Sequence, residues 1–382
     1  MSHTAPWMEE EHVLLQEAAR RFFEAELVPN KEKWRQQGYV DREFWRKSGE
    51  AGLLAASIPE AYGGVGGNYA HDAVIFLEQA RVGDADFGLG VHNIAIHYLL
   101  AYGTEEQKDR WLPQLASGEM IGAIAMTEPG TGSDLQSVRS SAELDGEDYR
   151  VNGSKTFITN GQLANLIVLV AKTDRTQKAK GISLIMVETD GLEGFRRGRN
   201  LEKIGMKGQD TSELFFEDVR VPRTNLLGLR EGQGFYGLME QLPWERLLIS
   251  ISAVGICDFA LQETLAYVRE RKAFGRRIAE FQNTRFKLAE AKTKLEVTRA
   301  FVDRCLERLL KGELDAATAS MAKWWSTQVQ CEIVDECLQL HGGYGYMLEY
   351  PIAQLYGDSR VQKIYGGTNE IMKELIARAL DD

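Results

Sequence analysis

Ala123-Ile-Ala-Met-Thr-Glu-Pro-Gly-Thr-Gly-Ser-Asp134 is where the chain changes texture. A strand runs into Thr127 and opens into a loop with two glycines, two hydroxyls and acidic residues. Such a loop offers N–H and hydroxyl donors to a polar ligand edge, or simply makes a tight connection from strand to sheet. Upstream the pattern is helical. Val13, Leu14, Ala18, Phe22, Phe23 and Leu27 recur at helical spacing, and Pro29 follows as a stop. Phe44, Trp45, Leu53 and Leu54 suggest a short helix, and further helices are expected over 70–81, 92–101 and 105–115. Downstream, short β-type runs follow at 121–127, 140–144, 149–152, 156–159, 166–171, 182–187 and 214–216. Turn signals such as Asp145-Gly146 and Asn160-Gly161 separate them, which reads as an all-β barrel or sandwich. Helices return after Gly234. Long ones are expected over 244–271, over 283–311 before Gly312, and from Asp315 as N-cap to Gly342-Gly343. Thr368 would cap a last helix ending near Leu380. Long helices with short connections suggest an antiparallel bundle.

The 382 residues suffice for two or three domains, and 44% hydrophobic with 26% charged residues is ordinary for a soluble globular chain. Acidic residues outnumber basic ones by 56 to 45, for a net charge of −11. A nucleic-acid scaffold needs clustered cations, so that class is set aside, although one local basic site for a phosphorylated ligand is not. The uncharged stretch 87–104 contains His92, Asn93, His97 and three glycines, and reads as a buried helix rather than a membrane span. The N-terminus has neither the apolar core of a signal peptide nor Arg-rich transit character. Cys257, Cys305, Cys331 and Cys337 form no C-x-x-C pair and read as reduced, buried thiols.

Three further segments carry chemistry. In Lys155-Thr-Phe-Ile-Thr-Asn-Gly161, Phe157 and Thr159 alternate on one strand face, an aromatic and a hydroxyl suited to a flat heteroaromatic; an ordinary edge strand has the same pattern. Arg269 to Arg277 holds five cations in nine residues, a phosphate site or a solvated helix end. Gln339-Leu-His-Gly-Gly343 and Tyr365-Gly-Gly-Thr-Asn-Glu370 each set a glycine pair beside a helix end, for anion binding or for capping. His341 is read as a core or capping residue, and no metal is expected.

Taken together and in order, these segments resemble the acyl-CoA dehydrogenases over nearly the whole chain, from about Glu10 to Leu380. The loop at 123–134 matches that family's first signature, and Gln339-Leu-His-Gly-Gly-Tyr-Gly-Tyr346 its second. The run 361–378 looks most like the long-chain branch. The resemblance implies an α+β multidomain fold: an N-terminal helical domain (1–118), a middle β-barrel (119–229) and a C-terminal four-helix bundle (230–382). It implies FAD-dependent α,β-dehydrogenation of a fatty or branched acyl-CoA to the trans-2-enoyl-CoA. A carboxylate takes the α-proton, the β-hydride goes to flavin N5, and electrons pass to an electron-transfer flavoprotein. The same fold hosts oxidases and monooxygenases that use oxygen. A non-catalytic flavoprotein or assembly partner is the reading from another class.

Carried over residue by residue, Ile124, Ala125, Met126, Thr127 and Ser133 would line the flavin, with Phe157, which stands for a usual Trp, Ile158 and Thr159. Arg271, Phe274, Gln282, Gln339, Leu340, His341, Gly342, Gly343, Thr368, Asn369 and Glu370 would bind the FAD of a neighbouring subunit, which implies a homotetramer built as a dimer of dimers. Ser133, Tyr236, Pro243, Glu245, Arg246, Gly366 and Gly367 would meet substrate. Most of the family places its base where this chain has Gly366. The long-chain and isovaleryl branches carry a Glu instead in a Pro-x-Glu-Arg context, here Leu242-Pro-Trp-Glu-Arg-Leu247, so Glu245 is the expected base. Pro243 suits a first helical turn, where the dipole and Arg246 would lower the carboxyl's pKa and burial would have to outweigh both. Gly366 would still donate its backbone N–H to the thioester carbonyl. The missing signals suggest a bacterial cytoplasmic enzyme or a processed mitochondrial-matrix one.

Overall fold

The computed structural model describes residues 5–380; the readings of the first four and last two residues lie outside the described residues. The N-terminal helices are α1 (Glu10–Phe22), α2 (Lys31–Gln37), α3 (Arg42–Glu50), α4 (Tyr69–Arg81), α5 (Leu89–Tyr102) and α6 (Glu105–Ala116). Pro29 does not stop the first of them. The chain stays helical through a π turn at Phe23–Leu27 and a 3-10 turn at Val28–Asn30. Pro29 falls in the first positions of that short turn, where its missing N–H costs little.

A curled seven-stranded sheet follows: β1 (Gly122–Ala125), β2 (Ser141–Asp145), β3 (Asp148–Thr159), β4 (Leu166–Lys172), β5 (Ile182–Glu188), β6 (Phe195–Asn200) and β7 (Thr211–Pro222). The strand order is β1-β4-β2-β3-β7-β6, with β5 also paired to β4. The two runs expected at 149–152 and 156–159 are one strand, β3, interrupted by register shifts against β7 at Val151/Gly153 and Lys155/Ile158. Strand β6 escaped the pattern reading because Phe195-Arg-Arg-Gly-Arg-Asn200 is a charged edge strand, the composition that protects an exposed edge.

The C-terminal unit holds α7 (Gly234–Glu270), a small hairpin of β8 (Lys272–Ala273) and β9 (Arg276–Arg277), α8 (Gln282–Leu310), α9 (Ala316–His341), α10 (Pro351–Arg360) and α11 (Asn369–Arg378). Asp315 and Thr368 act as the expected N-caps, accepting from the Thr318 and Ile371 N–H groups. Helix α7 is long and apolar enough to cross a membrane, yet 67% of its apolar window is buried within the fold. It packs against α4 and α9 as the core helix of the bundle. Close approach to α4 depends on Gly255, since a Cβ there would stand 2.5 Å from that of Ala80. One aromatic-rich core joins the first and last units, with Trp34, Trp45 and Phe23 fully buried beside α7 residues Trp244 and Leu247. Each such side chain stabilises the fold by roughly 1.5–3 kcal/mol.

Candidate active site

A cavity of about 680 Å³ lies where the sheet, α7 and the turn before α11 meet. On the sheet side its wall includes Ile124, Met126, Thr127, Ser133, Phe157, Ile158 and Thr159, and on the helical side Glu245, Arg246, Gly366 and Gly367. Two distant segments, one at the end of β1 and one before α11, are thus brought together as expected. Ala125 is not on the wall. Strand alternation turns it into the sheet core, where it is fully buried.

The loop after β1 is held from beneath. Glu128 accepts from the Arg139 and Ser140 N–H groups at 2.7 and 2.9 Å and pairs with buried Lys155 at 2.9 Å. Lys155 also donates to the Met126 carbonyl at 3.0 Å. Burial pushes the Lys155 ammonium down to about 8, against the pull of Glu128. Phe157 sits at the β3 irregularity with φ +60, so it does not share a simple alternating face with Thr159. Its ring is nonetheless 68% exposed on the cavity wall. A non-glycine residue held in left-handed conformation with a bare aromatic ring is a mark of function rather than packing.

Glu245 is buried, and its Oε1 accepts from the Tyr98 hydroxyl at 2.8 Å. Burial raises its carboxyl to about 7, against the Tyr98 bond and Arg246, which both pull it down. Pro243 is not in a first turn. It lies inside α7, which begins at Gly234, so no helix terminus acts on Glu245. The expected contest between dipole and burial is therefore mostly absent. One residue away, Trp244 Nε1 donates to Asn93 Oδ1 at 3.2 Å, so α5 and α7 are tied twice where Glu245 sits. Asn93 is held in turn by Asp72 of α4, which accepts from its Nδ2 at 3.0 Å. Tyr98 carried a signal in the sequence: a buried tyrosine hydroxyl needs a polar partner, and the uncharged stretch around it offers few.

Tyr236 is 43% exposed and, like Pro243, stands off the cavity wall. Phe235, Met239 and Leu242 line it instead, one face of α7 at helical spacing. Arg246 reaches the wall with its Nε buried and unpartnered, while its Nη1 donates to Ser320 at 3.3 Å. Gly366 adopts φ +63, and a Cβ there would meet Ile249 at 2.5 Å. The left-handed backbone strains a glutamate at this position, whereas the Ile249 contact is with the end of a flexible side chain that can move aside.

The remaining expected residues are not gathered at this cavity. Arg271 and Gln339 to Gly343 line a separate, open pocket of about 460 Å³, with Arg271 over the Tyr344 ring at 5.4 Å. Phe274 is 96% exposed at the tip of the β8–β9 hairpin, and Gln282 is exposed at the start of α8. Thr368 caps α11, Glu370 is exposed, and the Asn369 side chain turns inward to Lys323. Among the described residues, Glu11, His12 and His71 come close enough to suggest a metal site. Both rings, however, accept backbone N–H groups at Nδ1, from Glu9 and Asn68. Each ring thus closes a capping box at the start of its own helix, α1 for His12 and α4 for His71, while Glu11 in the first turn of α1 lies 3.5 Å from His71 Nε2.

Family models described as acyl-CoA dehydrogenase N-terminal, middle and C-terminal domains match residues 9–119, 123–219 and 232–380. The chain belongs to the acyl-CoA dehydrogenase family. It is accordingly an oxidoreductase. It is 52% identical over 373 residues to the mitochondrial long-chain specific acyl-CoA dehydrogenase of Rattus norvegicus, covering 97% of this chain and 86% of that one. The crystal structure of an acyl-CoA dehydrogenase from Geobacillus kaustophilus superposes with a TM-score of 0.96 at 49% identity, over 99% and 100% of the two chains. A glutaryl-CoA dehydrogenase from Mycobacterium smegmatis in complex with FADH2 superposes at 0.91 with 30% identity, over 98% and 95%. The acyl-CoA dehydrogenase fold thus has its three expected parts: a helical unit, a curled sheet and a second helical unit.

Proposed function

We propose that this chain is an FAD-dependent dehydrogenase of a fatty or branched acyl-CoA, with Glu245 as the base that takes the α-proton. The observation that carries this reading is Glu245 itself. It is a buried carboxyl raised to about 7, oriented by Tyr98, on the wall of a cavity whose opposite side is an exposed aromatic and hydroxyl-bearing sheet face.

The sheet wall fits a flavin. Phe157 offers a bare ring, Thr127 and Thr159 offer hydroxyls, and the loop at Gly130 and Gly132 has no atom within 4 Å of a would-be Cβ, leaving its backbone open to a ligand. FAD bound there supplies the acceptor for the β-hydride. The protein's own part is proton chemistry and electrostatics. A C–H beside a thioester is a weak acid, so its base must be strong for a carboxylate and must sit out of water. Burial does this for Glu245, and Tyr98 keeps one oxygen fixed so that the other faces the cavity. Negative charge developing on the thioester oxygen needs an aimed donor, and the Gly366 N–H serves without a side chain. Arg246 stands on the same wall, its guanidinium tied to Ser320 through Nη1. The product is the trans-2-enoyl-CoA, with electrons passed to an electron-transfer flavoprotein.

Arg271 and Gln339 to Gly343 line their own surface pocket, so a second copy of the chain would bring them to the far end of a neighbour's FAD in a homotetramer. A bacterial cytoplasm or a mitochondrial matrix suits a chain with four free thiols, of which Cys257, Cys305 and Cys337 are buried and Cys331 only half-buried. Anaerobic titration of the FAD-loaded protein with straight and branched acyl-CoAs tests the reading. Bleaching of the flavin absorbance by at least one of them is expected. No bleaching across the panel, or full reoxidation by air within the mixing time, contradicts it.

A further inference from the structure

Lys323 on α9 is fully buried, and the proton transfer described above makes no use of it. Its Nζ donates to the Gly367 carbonyl at 2.7 Å and to Asn369 Oδ1 at 3.1 Å. Thr327, one turn along α9, donates to the same Asn369 oxygen at 3.2 Å. Among the described residues no carboxylate forms an ion pair with this lysine. Burying an ammonium that no carboxylate touches, with Arg246 against its charge and only Glu370 for it, is costly, and an apolar side chain of similar volume would fill the site more cheaply. The lysine is therefore retained for its donors. What those donors hold is the turn that lines the cavity. Gly366 and Gly367 are consecutive residues with φ +63 and +91, the loosest backbone a chain can present. Left alone, such a turn does not keep an N–H aimed at one point.

The same face of α9 also holds the residue next to Glu245. Ser320, one turn before Lys323, accepts from Arg246, the residue after Glu245. Helix α9 thus grips both parts of the site, one through Ser320–Arg246 and the other through Lys323–Gly367. We propose that Lys323 is a positioning residue that clamps the Gly366–Gly367 turn at a fixed distance from Glu245, so that the turn's N–H faces the thioester oxygen. This rests on the dehydrogenase reading above.

The test uses the FAD-loaded K323M and K323Q variants beside the parent and E245Q. Two measurements are made: the anaerobic rate of flavin bleaching by dodecanoyl-CoA, and the affinities for dodecanoyl-CoA and 3-oxododecanoyl-CoA. The 3-oxo thioester ionises to an enolate and so reports on the donor, whereas the saturated one reports on the pocket. Misplacing the donor by about 1 Å should slow K323M roughly 100-fold. Its affinity for the 3-oxo thioester should fall about 10-fold more than for the saturated one, as loss of a bond to a charged group requires. K323Q keeps one donor and should recover part of the rate; it carries the comparison if K323M does not fold. Rates within threefold of the parent in both variants, or equal loss of the two affinities, overturn the proposal. E245Q separates the two levels. Parent-like bleaching by E245Q removes the base assignment, while a dead E245Q beside parent-like K323M and K323Q removes the clamp alone.

Discussion

Removing the Tyr98 hydroxyl should change the pH at which the enzyme works rather than whether it works. In the fold this hydroxyl donates to Glu245 Oε1 at 2.8 Å, with both groups buried. The bond favours the carboxylate over the acid, so Tyr98→Phe raises the carboxyl further above its present value of about 7. A hydrogen bond to a charged group contributes about 1.5–3 kcal/mol, which at about 1.4 kcal/mol per unit moves the carboxyl up by roughly one to two units. At pH 7 the ionised fraction would fall from about a half to between about 1% and 10%, a loss of roughly 5- to 50-fold. The parameter to follow is kcat/KM for an acyl-CoA with an artificial electron acceptor from pH 5.5 to 9.5, because it reports the free enzyme's ionisation. The acid limb should move up by about one to two units, and the rate above pH 9 should return close to the parent's. An acid limb that stays in place while the rate drops evenly at every pH would refute the reasoning. Tyr98 would then shape the pocket without setting the base.

Two further outcomes concern stability. Glu245 has its carboxyl raised from 4.5 to about 7, so ionising it costs the folded state roughly 3 kcal/mol at pH 8 and nothing below about pH 4. Glu245→Gln should therefore raise the urea midpoint at pH 8 and leave it unchanged at pH 4; equal midpoints at both would show that the carboxyl is not perturbed. His92 is fully buried, accepts the Gly122 N–H at Nδ1 and lies 3.1 Å from the Leu115 carbonyl at Nε2; burial pushes it from 6.5 down to about 4. Its contribution is present above pH 6.5 and lost as pH falls toward 4, up to about 3 kcal/mol. His92→Gln should flatten the fall in unfolding midpoint over that window, and an unchanged slope would place the acid sensitivity elsewhere.

Much of the fold was legible because its signals are local. The helical–β–helical order follows from hydrophobic period, and the Asp315 and Thr368 caps from residue type at a helix start. Glu245 was singled out only through the family resemblance, by its Pro-x-Glu-Arg context and the glycine at 366, since either position alone is ordinary; the fold puts both on one cavity wall. What stayed hidden depends on tertiary context. Pro243 looks like a helix start, yet the bundle buries α7 so thoroughly that packing carries the helix across it and back to Gly234. Tyr236 is one residue from the face that lines the cavity, a difference of about 100° that spacing from a motif does not resolve. Strand β6 and helix α10 were missed, the first for its three arginines and the second for opening on Pro351 directly after a turn. Tyr98 and Lys323 were missed because each acts through a partner more than forty residues away in sequence.

The claim on which everything else turns is that Glu245 removes the α-proton. A 3-thiaacyl-CoA isolates that step, because its α-carbon bears exchangeable hydrogens while sulfur replaces the β-carbon and no hydride can leave. Incubated in D2O with the FAD-loaded parent, such a thioester should exchange its α-hydrogens for deuterium, read by proton NMR. With Glu245→Gln the exchange should fall to the rate without protein. Exchange by that variant at the parent's rate would contradict the assignment and send the search for the base elsewhere in the cavity.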